Sequence, residues 1–204
     1  IAEYTAFGEV WRTRDPKTAS SAWTIVMTYD QLGRQTRRQE AEGDTTWVYY
    51  PTNAGTDKRK GLLNKVTGPL VGSSTGFSET HLYNGQAQVR QTLSTFDGVN
   101  FYTDMTYNQG QLSTMIYPNS VNGYRHSFSW QYRNGHTSRL DATDGGINIP
   151  IWTLAASDPL GRAQHAKFGT GTTIIDEQRG IDPRSLRLTG IQTGPALGLS
   201  LIHI

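Results

Sequence analysis

Tyr29-Asp30-Gln31-Leu32-Gly33-Arg34 follows an apolar run, Trp23 to Tyr29, and opens onto a polar one. An aspartate can accept from backbone N–H groups two residues on and so starts a turn, and glycine supplies positive φ at low cost. Tyr29 is large, apolar over most of its ring, and suited to anchoring a strand end. The stretch therefore reads as the tip of a β-hairpin.

The pattern recurs at a nearly constant step. Tyr4-Thr5-Ala6-Phe7-Gly8-Glu9-Val10 is the same turn with Thr5 for Asp. Tyr83-Asn84-Gly85, Tyr107-Asn108-Gln109-Gly110 and Tyr132-Arg133-Asn134-Gly135 come next. Ser157-Asp158-Pro159-Leu160-Gly161-Arg162 and Ile181-Asp182-Pro183-Arg184-Ser185-Leu186-Arg187-Leu188 continue the series. Tyr4 to Tyr29, Tyr83 to Tyr107 to Tyr132, and on to Ser157 and Ile181 are almost equal steps. Only Tyr29 to Tyr83 breaks the count, at a little over twice the step, and that stretch holds Tyr49-Tyr50-Pro51 and a Gly/Lys-rich loop. A fixed period of this length is the signature of a repeat array.

Around the turns the residues alternate as half-buried strands do. Trp23, Ile25, Met27 and Tyr29 share one face, with Thr24, Val26 and Thr28 on the other. Phe101, Thr103, Met105 and Tyr107 alternate with Tyr102, Asp104 and Thr106, and Leu112, Thr114 and Ile116 run to a stop at Pro118. Tyr124, His126, Phe128, Trp130 and Tyr132 fall on one face, and Asn134-Gly135 is the strongest short hairpin signal in the chain. Further strands are expected at 45–50, 62–66, 147–154, 163–168, 172–176 and 186–192, with residues 34–45 as the return from Tyr29. Residues 51–61 read as an insertion between repeats. No window has helical periodicity. The expected class is all-β: antiparallel hairpins side by side in one continuous twisted sheet, about seven to eight repeats over residues 1–198.

Composition narrows the function classes. The 204 residues carry a net charge of +2, too small to imply nucleic acid or an anionic membrane as partner. The absence of cysteine removes disulfides, thiolate metal sites and cysteine nucleophiles. No apolar run reaches the length of a helical membrane span. The chain opens on Ile1 in mid-pattern, which reads as a piece of something longer. Leu199 to Ile204 departs from the pattern, resembles translated adapter sequence, and reads as a non-native tail; a short apolar strand is the alternative.

The turns at 4–10, 29–34, 83–89, 107–112, 132–140 and 157–162, together with Phe168-Gly169-Thr170-Gly171 followed by 182–188, resemble the YD repeats of bacterial RHS-repeat proteins. The last pair is similar to a block of that family in which an aromatic-Gly-Asn-Gly turn precedes a Tyr-Asp-Pro-x-x-Gly-Arg-Leu turn. Here Thr170 replaces Asn, Ile181 replaces Tyr and Leu186 replaces Gly. The resemblance implies a hairpin sheet that spirals into a hollow shell, as in the cocoon-forming subunits of insecticidal toxin complexes, polymorphic toxins, wall-associated proteins and teneurins. It also implies a secreted or cell-surface bacterial location, and effector chemistry in a C-terminal toxin outside this chain. The implied partners are neighbouring repeats and the enclosed toxin. An extracellular adhesin that binds cell-surface carbohydrate through aromatic strand faces is the alternative.

No catalytic, cofactor or metal residue is assigned. His81, His126, His136, His165 and His203 have no metal-ligand spacing and read as structural. Asp141-Ala142-Thr143-Asp144-Gly145-Gly146 lacks the ligand pattern of a calcium loop and reads as a plain turn. Gly169-Thr170-Gly171 lacks the Lys and helix of a phosphate loop. Asp158-Pro159-Leu160-Gly161 matches a motif with which some RHS proteins release their own C-terminal toxin, but it sits on the repeat period, and Asp182-Pro183-Arg184-Ser185 lacks the second glycine. Arg34/Arg37/Arg38 and Lys58/Arg59/Lys60 read as solvated surface that resists edge aggregation rather than a binding face. The expectation is a non-enzymatic structural segment.

Overall fold

A computed structural model describes the chain except residues 16–22, 54–56, 70–75, 145, 172, 196–199 and 204. Among the described residues there are seventeen strands and no helix, in one antiparallel hydrogen-bonded sheet in which each strand pairs with its sequence neighbour. Among the described residues no helix is long and apolar enough to cross a membrane. The chain divides into two compact units, residues 1–104 and 105–204.

In the first unit the strands are β1 (Ala2–Tyr4), β2 (Val10–Thr13), β3 (Ile25–Tyr29), β4 (Gln35–Glu40), β5 (Gly43–Tyr49), β6 (Leu63–Thr67), β7 (Phe77–Tyr83), β8 (Val89–Phe96) and the first part of β9 (Val99–Asn108). The second unit takes the end of β9, then β10 (Gln111–Asn119), β11 (Arg125–Arg133), β12 (His136–Asp144), β13 (Ile147–Ser157), β14 (Ala163–Phe168), β15 (Ile175–Ile181), β16 (Leu188–Pro195) and β17 (Ser200–His203). Antiparallel alternation puts the tyrosine turns of each unit at one edge of its sheet and the intervening turns at the other.

Several expected boundaries move. Trp23 lies before β3, and the 34–45 return is two strands, β4 and the start of β5. The 172–176 strand is instead β15, and the 186–192 strand begins at Leu188. Pro118 does not stop β10; the register with β11 shifts between Ile116 and Asn119, and that irregularity absorbs the missing N–H. Asp141 to Asp144 are strand, not turn. Ser200–His203 pairs with β16 in the register Gly190 to His203 and Thr193 to Ser200.

The 51–60 loop is an enlarged version of the repeat turn. Asp30 N–H donates to the Arg34 carbonyl and Gly33 N–H to the Asp30 carbonyl. Tyr50 N–H donates to Leu62 and Gly61 N–H to Tyr50 in the same way, so Tyr50, Gly61 and Leu62 hold the places of Asp30, Gly33 and Arg34. Gly61 has φ +72°, Gly33 +73°.

Neither unit encloses an apolar core. Among the described residues only Ala166, Asp141 and Asp176 are buried. The aromatic strand faces are half-covered, because one sheet gives its side chains only cross-strand neighbours. Phe77 stacks on Phe96, centroids 4.9 Å apart, and Tyr117 meets Phe128 edge-on at 5.5 Å.

Deleting Thr52–Arg59 leaves Tyr50-Pro51-Lys60-Gly61-Leu62, a three-residue loop with proline at the position type I turns favour and glycine at the positive-φ position. The deletion is expected to leave the thermal unfolding midpoint and the β-type circular dichroism nearly unchanged; loss of folding would show the loop to be structural.

Candidate functional site

The feature built most consistently by this sequence is the edge that carries the tyrosine turns. Four of the turns are built from five residues each. Asp30 Oδ1 accepts from Leu32 and Arg34 N–H at 2.9 and 3.0 Å, and Arg34 Nε donates to Asp30 Oδ2 at 2.7 Å. Asp158 repeats this with Leu160 and Arg162 at 2.9, 2.9 and 2.6 Å. Asn84 does so with Gln86 and Gln88, and Thr5 with Phe7 and Glu9 through its hydroxyl. Each is a type I turn closed by one residue of positive φ. In the Tyr83 turn that residue is Ala87, φ +63°, and not Gly85, which corrects the alignment of that repeat. Leu186, φ +59°, takes the glycine place as the sequence comparison has it. Asn134-Gly135 and Gln109-Gly110 have positive φ at both central residues, the two-residue hairpin form.

At Tyr4, Tyr29, Tyr49, Tyr83 and Tyr132, and at Ser157 and Ile181, the strand register shifts immediately before the residue. The bulge turns the side chain along the edge. Tyr29 then donates its hydroxyl to the Val10 carbonyl at 2.7 Å, Tyr49 to Gln35 at 2.9 Å, Tyr83 to Leu63 at 2.6 Å and Tyr132 to Leu112 at 2.9 Å. In the first unit the acceptor is always the residue opposite the previous tyrosine: Val10 faces Tyr4, Gln35 faces Tyr29 and Leu63 faces Tyr49. Tyr49 is thus the repeat tyrosine that the long gap from Tyr29 to Tyr83 concealed.

A second link runs forward, from the residue after the positive-φ position to the positive-φ residue of the next turn on the same edge. Arg34 Nη1 donates to the Gly61 carbonyl at 2.8 Å, Gln111 to Gly135 at 3.2 Å and Arg162 Nη1 to Leu186 at 2.7 Å. Glu9 lies against Gly33, and the His136 ring covers Gly161 so closely that a Cβ there would overlap it. Within the turn this carbonyl is used by neither closing bond, so an outside donor satisfies it. Arg34 also lies 4.2 Å over the Tyr49 ring, a cation–π contact with the next repeat.

The residues weighed for chemistry have these neighbours. His126 meets Tyr124 edge-on, His81 lies 3.2 Å from Glu79, and His165 lies 2.5 Å from Asp176. The side chain of His203 is outside the described residues. Asp141, fully buried, is held by Arg139 at 2.5 Å and Gln131 at 2.9 Å. Among the described residues no three of His, Cys, Asp and Glu gather as metal ligands. The arginines of the basic clusters are engaged: Arg37 with Asp44, Arg38 with Glu40, and Arg59 with Asp57 and the Tyr50 ring. Gly169 and Gly171 are turn residues of positive φ. The Asp158-Pro159 turn has its carboxylate committed to Arg162.

No family model and no curated protein sequence matches the chain. Solved structures do. Over 96% of its length it superimposes on part of TcdB2-TccC3-TEV, with a TM-score of 0.52 at 15% identity, and it spans 11% of that chain. A Photorhabdus luminescens Tc holotoxin pore structure aligns at TM-score 0.49 and 15% identity, over 98% of this chain and 13% of that one. The fold is that of a segment of a Tc toxin component.

Two measurements test the edge. Tyr83→Phe removes only the hydroxyl that reaches Leu63 and is expected to cost about 1 kcal/mol in denaturant unfolding, with the β spectrum retained; no loss would make the contact incidental. Acid probes the carboxylates. The Arg34 side chain, against burial, holds Asp30 below its ordinary value, and the Arg59 guanidinium holds Asp57 down at about 2. Burial raises Asp158, but hydrogen bonds from Arg162 outweigh it and leave the group low; Ser185 and Arg184 N–H groups lower Asp182. Depressed values mean stability present above the unfolded carboxylate range and lost as pH falls through the folded values. The unfolding midpoint is therefore expected to fall between about pH 4 and pH 2, and less steeply in the Asp30→Asn, Asp158→Asn double variant; an unaltered slope would count against the turn carboxylates.

Proposed function

We propose that this chain is a wall segment of an RHS-type β-shell, a non-enzymatic structural part of a secreted or surface-exposed bacterial protein that encloses or presents a toxic C-terminal region. The observation that carries the reading is a sheet with no core of its own whose successive repeats are tied turn to turn. Such a sheet extends by adding repeats, and in a longer chain it can separate an inside from an outside. The YD-type turns and the Tc-like fold support the same reading.

A second reading has one observation in its favour. Phe7 and Trp11 are exposed and, with Met27 and Tyr29, line a groove of about 390 Å³ that also presents Thr5, Glu9 and Thr28. Exposed aromatic rings beside hydrogen-bonding groups suit a sugar ring, as an adhesin requires.

One set of measurements separates them. The shell reading expects a β-type spectrum, self-association on size exclusion through uncovered sheet surface, and no retention of glycans. A monodisperse β monomer that holds a glycan, with binding lost in Trp11→Ala, would establish the adhesin instead.

A further inference from the structure

Cavities of one construction recur at the joints between repeats. On one side stands the residue that follows the positive-φ position, and on the other the repeat residue with the two before it. Glu9 and Met27-Thr28-Tyr29 make the first. Gln111 and Trp130-Gln131-Tyr132 make another, of about 430 Å³. His136 and Ala155-Ala156-Ser157 make a third, of about 590 Å³.

The last two correspond residue for residue at a constant step. Gln111 becomes His136, Ser113 becomes Ser138, and Trp130-Gln131-Tyr132 becomes Ala155-Ala156-Ser157. Three large side chains have thus given way to three small ones on one wall. The third cavity exceeds its counterpart by about 160 Å³, and about 150 Å³ is enough to hold benzene. The surrounding backbone keeps the form that serves a tyrosine. The register shifts just before Ser157 as it does before Tyr132. Tyr132 donates its hydroxyl to the Leu112 carbonyl at 2.9 Å, and the counterpart of Leu112 is Thr137, which faces Tyr132 as Val10 faces Tyr4. His136 also holds the place from which Arg34 lies 4.2 Å over the Tyr49 ring, so it offers an imidazole to an aromatic partner.

We propose that the cavity at Ser157 is a binding site for a small phenol. The ring lies between His136 and the wall of Ala155 and Ala156, and the hydroxyl donates to the Thr137 carbonyl. The chemistry of the ligand follows from the sister joint, where the chain's own 4-hydroxyphenyl group holds this place and makes this bond. The site depends neither on toxin enclosure nor on the groove beside Trp11, so either of those readings can fail without it.

The probe is 4-methylphenol, the tyrosine side chain as a free molecule, in equilibrium dialysis against the full chain. Saturable binding is expected with a dissociation constant on the order of 1 mM, usual for so small a ligand. Toluene, which lacks the hydroxyl, is expected to bind about fivefold more weakly, the net effect of one hydrogen bond. Ser157→Tyr supplies the ring from within. It is expected to abolish 4-methylphenol binding and to raise the thermal unfolding midpoint by about 2–4 °C. Ala155→Trp restores the wall of the sister cavity and is expected to weaken binding at least fivefold, which tests the site a second way if the tyrosine variant fails to fold. Absence of saturable binding, equal binding of toluene, or binding indifferent to both substitutions would overturn the assignment.

Discussion

The hydrogen bond from a strand-end tyrosine to the carbonyl one repeat back is the interaction on which this architecture turns. A hairpin in isolation is marginal in water, and a single sheet has no second layer against which to bury its side chains. Backbone ladders hold the middle of each strand pair, but the bulges at Tyr4, Tyr29, Tyr49 and Tyr83 interrupt the ladder near the edge. Val10, Gln35 and Leu63 lie beside those interruptions, and each receives a tyrosine hydroxyl from the following repeat, as Leu112 does from Tyr132. The ring spans the gap that the bulge opens, and its hydroxyl satisfies the backbone beyond it. The tyrosine therefore uses the room that the bulge makes, which explains why the aromatic residue recurs at that place.

Much of this edge is legible in the residues. Asp30, Gly33 and their counterparts announce the turns because their roles are local: a carboxylate two residues from the N–H it accepts, and a backbone angle that glycine reaches cheaply. The errors have equally local causes. Gly85 attracts attention because glycine is expected, yet the positive angle falls two residues later on Ala87, where the turn geometry requires it whatever the side chain. Tyr49 is hidden because an insertion shifts its spacing. Pro118 looks like a stop, but a bulge lets it remain within its strand. The acceptors of the tyrosine hydroxyls and the forward reach of Arg34 and Arg162 join residues 14 to 27 positions apart, and no local pattern encodes them.

Among the described residues the most buried is a carboxylate, Asp141, rather than a hydrocarbon. Asp141 stands in a row with Ser129 on one side and Pro150 on the other, small or rigid neighbours that let its carboxylate lie down within the sheet surface. Arg139 and Gln131 supply one donor to each of its oxygens, which offsets the desolvation a lone carboxylate would suffer. Asp176 sits opposite Gly194 and is met by His165, a similar solution. A sheet without an apolar core still has sheltered places, and they fall beside glycine, serine and proline because those side chains leave room.

The two edge links also explain how the repeats can diverge without losing their joints. Tyr29 works where the forward residue is Glu9, which has no proton to donate to the Gly33 carbonyl. Beyond Tyr132 the tyrosine is lost: Ser157 and Ile181 occupy its place, still at their bulges. There Arg162 bridges from Asp158 to the Leu186 carbonyl, and the His136 ring packs directly on Gly161. Where one link is lost another contact spans the joint, and Tyr49 with Arg34 and Tyr132 with Gln111 show both links made together. A fold of this kind can therefore persist while its sequence signature thins to an aspartate, a residue tolerant of positive φ, and whatever donor follows it.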